Sequence, residues 1–161
     1  MATEPGPDQT LEEFGRALAD RVSSAVPGWV IGCVDARLPP SFPGREQVMA
    51  RAEEAAQRAQ REVARALHDL LSADVDAQRS TPLAVVRAAV SYPTGVLSEA
   101  RVPPVARDRF VSERFPGDPY GLTPASLAAL DPALAEPAIA WGAAKAMAHR
   151  RRHGESPSEF T

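Results

Sequence analysis

Along this chain small and apolar residues recur in alternating steps of three and four. The longest series runs Met49, Ala52, Ala56, Ala59, Val63, Ala66, Leu70, Ala73 and Ala77, with Arg, Glu and Gln in most positions between. That rhythm is one face of an α-helix. No Pro or Gly interrupts it between Gly44 and Pro82, so the pattern predicts a single helix over Arg45–Gln78. A seam made mostly of Ala buries little area per turn but lets a partner helix come close. Val63, Leu67, Leu70, Leu71 and Val75 mark its core end.

Other segments follow the same period. Thr10-Leu11-Glu12-Glu13 reads as a capping box, followed by the stripe Leu11, Phe14, Leu18, Val22, with Pro27-Gly28 as the stop near Val26. Trp29–Leu38 carries strand-forming Val, Ile and Trp, yet Val30, Cys33, Val34 and Leu38 also keep helical spacing. A lone strand could not satisfy its backbone groups, which favours a short helix. Thr81-Pro82 supplies an N-cap and a first-turn proline. Leu83, Val86, Val90, Pro93, Leu97 and Ala100 then continue the rhythm as one helix kinked at Pro93 and stopped by Pro103-Pro104.

The remainder is punctuated by proline. Val105–Phe115 reads as a short helix with Phe110, Val111 and Phe115 on its apolar side, and Pro116-Gly117 suits a type II turn. Thr123-Pro124 and Asp131-Pro132 each predict a brief helix. Glu136-Pro137 opens the last one, over about 137–152, with Ile139, Ala143, Ala146 and Met147 facing inward and Gly142 and Ala146 allowing close contact. Gly154 is the expected stop. The expected fold is all-α, a single-domain bundle-like array built on a helical hairpin of about 45–78 and 81–101. Residues 1–9 read as a disordered lead, 10–153 as the domain, and 154–161 as a disordered tail.

Composition adds constraints. At 161 residues the chain suits one domain. Aromatics are only 6% of it, so the core must be Ala, Val and Leu, as in packed helices. A net charge of −3 provides no global field for nucleic acid or an anionic membrane. No apolar run reaches the roughly 20 residues of a membrane span. The single Cys33 allows no internal disulfide, which fits a reducing, cytoplasmic setting. Seventeen of the 18 basic residues are Arg, a skew that high-GC codon bias explains together with the many alanines.

Candidate chemistry is sparse. His68-Asp69 lacks the further histidines of a metal site and points away from the seam. His149 and His153 have ligand spacing, but three arginines lie between them. Arg150–Arg152 complements a helix C-terminus. Cys33, in an apolar run, reads as a small buried hydrophobe. Lys145, the only lysine, suits either a buried amine or a snorkelling one. No GxGxxG, Walker loop, GxSxG, HExxH or CxxC occurs. What remains is a polar cluster: Asp74, Asp76, Gln78 and Arg79, with Arg107, Asp108 and Arg109 after the second proline pair, beside an ordered loop with exposed aromatics that carries Tyr120. It suits a binding surface or an internal salt-bridge network.

The segments D-V-D-A-Q-R-S-T-P-L, F-P-G-D-P-Y-G-L-T-P-A-S and E-P-A-I-A-W-G-A-A-K-A, between Asp74 and Lys145, resemble small uncharacterised all-helical proteins of high-GC bacteria. The resemblance implies a helical fold and no activity. The functional expectation is a non-catalytic cytoplasmic interaction or regulatory protein. It has no cofactor or metal and a protein partner, or a second copy held through the Ala seam. The rival is a small enzyme or ligand binder with its pocket near the 115–124 loop and Lys145.

Overall fold

The computed structural model describes residues 7–72 and 81–154. Among them there is no strand, and the fold is all-α. Six α-helices follow in order: α1 (Pro7–Arg37), α2 (Arg45–Ser72), α3 (Pro82–Ala88), α4 (Ser91–Glu99), α5 (Arg109–Arg114) and α6 (Ala135–Arg152). Two 3-10 turns, Leu127–Ala129 and Pro132–Leu134, precede α6. No helix among the described residues is long and apolar enough to cross a membrane.

α1 and α2 form the longest antiparallel pair. Leu18, Val22, Val26 and Val30 of α1 meet Ala56, Ala59, Val63 and Leu67 of α2, while Val34 and Leu38 meet Val48, Ala52 and Ala55. The large residues of α1 fit over the small ones of α2. From Leu18 onward the buried positions step by four every time, and each such step turns about 40° around a helix of 3.6 residues per turn. From Leu18 to Leu38 the stripe therefore winds about halfway round. That is why α1 can serve α2 throughout, α6 near its start and α4 near its end.

α1 runs straight through Pro27, which was expected to end it. Proline cannot donate to the carbonyl four residues back, and that orphan is Ser23 O. Gln60 Nε2 of α2 donates to it at 3.0 Å. Trp29–Arg37 are accordingly the last nine residues of the same helix, and Leu38 follows it. The helix also begins at Pro7, so Thr10 lies inside it and not at its cap.

On α2 the seam holds from Ala52 to Val63 and then shifts: Leu67 is fully buried and Ala66 is exposed. A strict 3.5-residue repeat drifts by about 20° per heptad on a straight helix, enough to replace one position by its neighbour. Residues 73–78 of the expected helix lie outside the described residues.

The arm after residue 81 packs antiparallel on α2, with Val86 and Ala89 beside Val63 and Val96 and Leu97 beside Ala52. Thr81 caps it, its Oγ1 accepting from Ala84 N at 3.1 Å. It is two helices, not one kinked helix, because the ladder tightens at Ala89-Val90 to three-residue bonds, Ala89 N to Val86 O and Val90 N to Arg87 O. Pro93 cannot bond Ala89 O but is tolerated within the first turn of a new helix. α4 ends in a Schellman motif: Val102 N donates to Leu97 O and Arg101 N to Ser98 O, with Arg101 at φ 58°. That conformation usually needs Gly.

α6 lies on α1, with Trp141, Ala144 and Ala148 buried. The expected inward face is the outward one. Ile139 is 72% exposed and Met147 52%, Gly142, Ala143 and Ala146 are exposed as well, and Gly142 meets no neighbour. Alanine on both sides of the helix left its sequence without a marker of orientation.

Candidate functional site

The expected site splits into separate pieces. Asp74, Asp76, Gln78 and Arg79 lie outside the described residues. Asp108 caps α5, its Oδ1 accepting from Val111 N at 2.8 Å. Arg109 pairs with Glu113 at 2.9 Å one turn along, both in solvent. The helix here is confined to Arg109–Arg114, shorter than expected. Phe110 is 68% exposed instead of packing inward, and no residue of α5 is buried.

The 115–124 loop is built around Asp118, which is 4% exposed. Asp118-Pro119-Tyr120-Gly121 closes a turn with Gly121 N donating to Asp118 O, and Gly121 takes φ 65°. The Asp118 carboxylate then accepts from Leu122 N at 2.8 Å, Thr123 N at 2.8 Å and Thr123 Oγ1 at 2.7 Å. Burial pulls this carboxyl up, but the two backbone bonds, the Thr123 hydroxyl and the charge of Arg107 outweigh it and hold it below its ordinary value. Thr123 is thus turned to Asp118 and caps no helix. Pro116-Gly117 does make a turn, with Asp118 N donating to Phe115 O, but Gly117 lacks the positive φ of type II.

The arginines around the loop donate to its main chain. Arg107 Nη1 reaches Phe115 O at 2.7 Å, Arg37 Nε reaches Tyr120 O at 2.9 Å, and Arg87 Nε reaches Pro124 O at 3.1 Å. Tyr120 is buried, its hydroxyl donating to Val102 O at 2.7 Å. Arg87 and Arg114 both stand over the Phe115 ring, at 5.8 and 5.4 Å from its centroid. A groove of about 340 Å³ runs alongside, lined by Arg87, Ser91, Arg114, Phe115, Asp118 and Thr123 among others. Its buried polar groups already hold the loop, so they offer no free base or nucleophile.

Lys145 is not part of this groove. It stands over Trp141 of its own helix, 5.1 Å from the ring centroid, a cation–π contact that explains its half-buried position. Cys33 is partly buried, and burial is the main cause that pushes its thiol up to about 11, so it is protonated at neutral pH and a poor nucleophile. His68 is exposed, as its position off the seam implied, and the His149 and His153 rings lie 4.4 Å apart at the end of α6. Among the described residues no group of three or more His, Cys, Asp or Glu is placed to hold a metal.

The Ala seam of α2, expected to receive a second copy, is covered by α1 within the same chain. Among the described residues, an uncovered apolar surface lies instead on the outer face of α6. Measured from Ala143 at about 100° per residue, Ile139 and Met147 lie within about 40° on either side, while Trp141 and Ala148 lie on the opposite face. Sequence reasoning missed both this face and Asp118. For Asp118 a signal existed: Asp, Pro and Gly at the first, second and fourth positions of a turn are the type I preference.

No family model, curated protein or solved structure matches this chain.

Proposed function

We propose that the protein is a non-catalytic cytoplasmic interaction module whose contact surface is the outer face of α6. The observation that carries this is an apolar helix face left in solvent, with Ile139 and Met147 both more than half exposed. Large apolar side chains grouped on one face mark contact sites more often than isolated ones do. Two further features support the reading. Asp118 of the 115–124 loop and Arg37, Arg87 and Arg107 around it are committed to main-chain N–H groups and carbonyls, and the Cys33 thiol is held in its unreactive form. Cytoplasmic placement is supported by the lone cysteine.

The test is site-specific photo-crosslinking of the full chain in cells. A photoreactive residue at position 139 or 147 is expected to give discrete adducts, and one at Arg58 or Arg65, exposed on α2, is expected to give none. Silence at 139 and 147, or equal labelling at all four positions, would overturn the assignment of the surface.

A further inference from the structure

We infer that the occupant of this face is a second copy of the chain, seated antiparallel along α6 about a two-fold axis at Ala143. The inference rests on the reading of α6 as a contact surface and goes beyond it by naming the partner.

Its basis is the order of side chains on the exposed stripe. Glu136, Ile139, Ala143, Met147 and Arg150 are all exposed, and at 100° per residue all five lie within about 40° of the Ala143 direction. The series reads the same from either end in spacing and is opposite in charge. Glu136 and Arg150 stand equally far from Ala143 on its two sides, as do Ile139 and Met147. Turned end for end, a second α6 places Arg150 against Glu136 and Met147 against Ile139, while Ala143 meets its own copy. Such a contact is isologous, the form that closes as a dimer.

Charge selects this orientation. A parallel pair would bring Glu136 against Glu136 and Arg150 against Arg150, whereas the antiparallel one brings opposite charges together at both ends. Among the described residues neither Glu136 nor Arg150 has an ion-pair partner. The helix dipoles also oppose favourably in the antiparallel pair. At the middle, Gly142 and Ala143 let the two axes approach, and the larger Ile139 and Met147 fill the space to either side. A contact made by one helix of 18 residues is small, so a dissociation constant on the order of 10 µM is expected.

The experiment combines sedimentation with cysteine crosslinking of the full chain, the latter in a Cys33→Ser background. Wild type is expected to move from 17.2 kDa towards twice that mass as concentration rises. Glu136→Arg should shift the midpoint several-fold to higher concentration, and Glu136→Arg with Arg150→Glu should restore it. Ala143→Cys should form an intermolecular disulfide. Ile139→Cys and Met147→Cys should each form little alone and a mixed dimer when combined. Circular dichroism checks that these exposed substitutions leave the fold intact.

A wild-type monomer at several hundred micromolar would overturn the dimer. So would strong self-crosslinking of Ile139→Cys and Met147→Cys separately, the signature of a parallel pair. The surface itself is judged independently by the photo-adducts at position 139. A monomer whose adducts join a different protein overturns the second copy and keeps the contact surface. A monomer with no adducts, or with adducts only inside its own chain, overturns both.

Discussion

The 115–124 loop and the outer face of α6 make opposite use of their side chains. The loop is rich in groups that suggest chemistry, yet Asp118, Arg107 and Tyr120 point polar atoms at nearby backbone and the Thr123 hydroxyl donates to the Asp118 carboxylate. Without a helix or sheet to satisfy it, irregular backbone needs such partners. The α6 face has no chemistry to suggest, yet it leaves Ile139 and Met147 in water. A charged, conspicuous segment is here the scaffold, and an alanine-rich, featureless one carries exposed apolar side chains.

The sharpest way to break that contrast is to truncate one residue in each region. Asp118→Ala leaves the Leu122 and Thr123 N–H groups without their acceptor in a buried turn, and should cost about 3 kcal/mol in denaturant unfolding. Ile139→Glu, in solvent, should change the stability of the monomer by less than about 0.5 kcal/mol. Equal costs would dissolve the distinction. Asp118 also predicts a pH dependence. Its folded pKa is depressed, so its stabilisation is complete above the unfolded value of about 4 and is lost as pH falls through the folded value. Asp118→Asn should flatten that acid limb of the stability curve.

A milder version of the same comparison lies on α2. Ala59 is covered by α1 and Ala66 is not. Ala59→Leu should therefore destabilise by about 1–3 kcal/mol through overpacking, and Ala66→Leu should stay within about 0.5 kcal/mol. Denaturant midpoints separate the two.

Gln60→Ala should cost about 1 kcal/mol, because it removes the donor that satisfies Ser23 O beside Pro27. In a Pro27→Ala background the helix supplies its own N–H, and the cost of losing Gln60 should shrink. A double-mutant cycle measures the coupling, and additive effects would show that Gln60 is not what carries α1 past the proline. The smallest effect is expected at Arg101. Replacing it by Gly relieves a left-handed residue and should raise stability by about 0.5–1 kcal/mol by thermal unfolding.

Much of the helical plan was legible in the sequence, for local reasons. Thr81-Pro82 and Asp131-Pro132 carry their caps within three residues, and both bonds form, Asp131 Oδ1 accepting from Ala133 N. Gly154 ends α6 with the left-handed φ expected of it. What escaped depends on distant partners or on missing contrast. The carbonyl that Pro27 leaves unpaired in α1 is met by a side chain 37 residues away. The break before Pro93 needs the hydrogen-bond ladder to be seen. The facing of α6 could not be read because alanine sits on both of its sides, and of the expected site residues Arg107 and Tyr120 hold one loop while Asp108, Arg109 and Lys145 make separate local contacts.

We propose that α6, and not the charged loop, is the surface that engages a partner. Hydrogen exchange of the full chain, compared between dilute and concentrated solution and read on peptides covering 136–150 and 115–124, tests both regions in one experiment. Protection of 136–150 is expected to rise with concentration while 115–124 stays unchanged. A concentration-dependent change confined to 115–124, with α6 exchanging alike in both solutions, would contradict it.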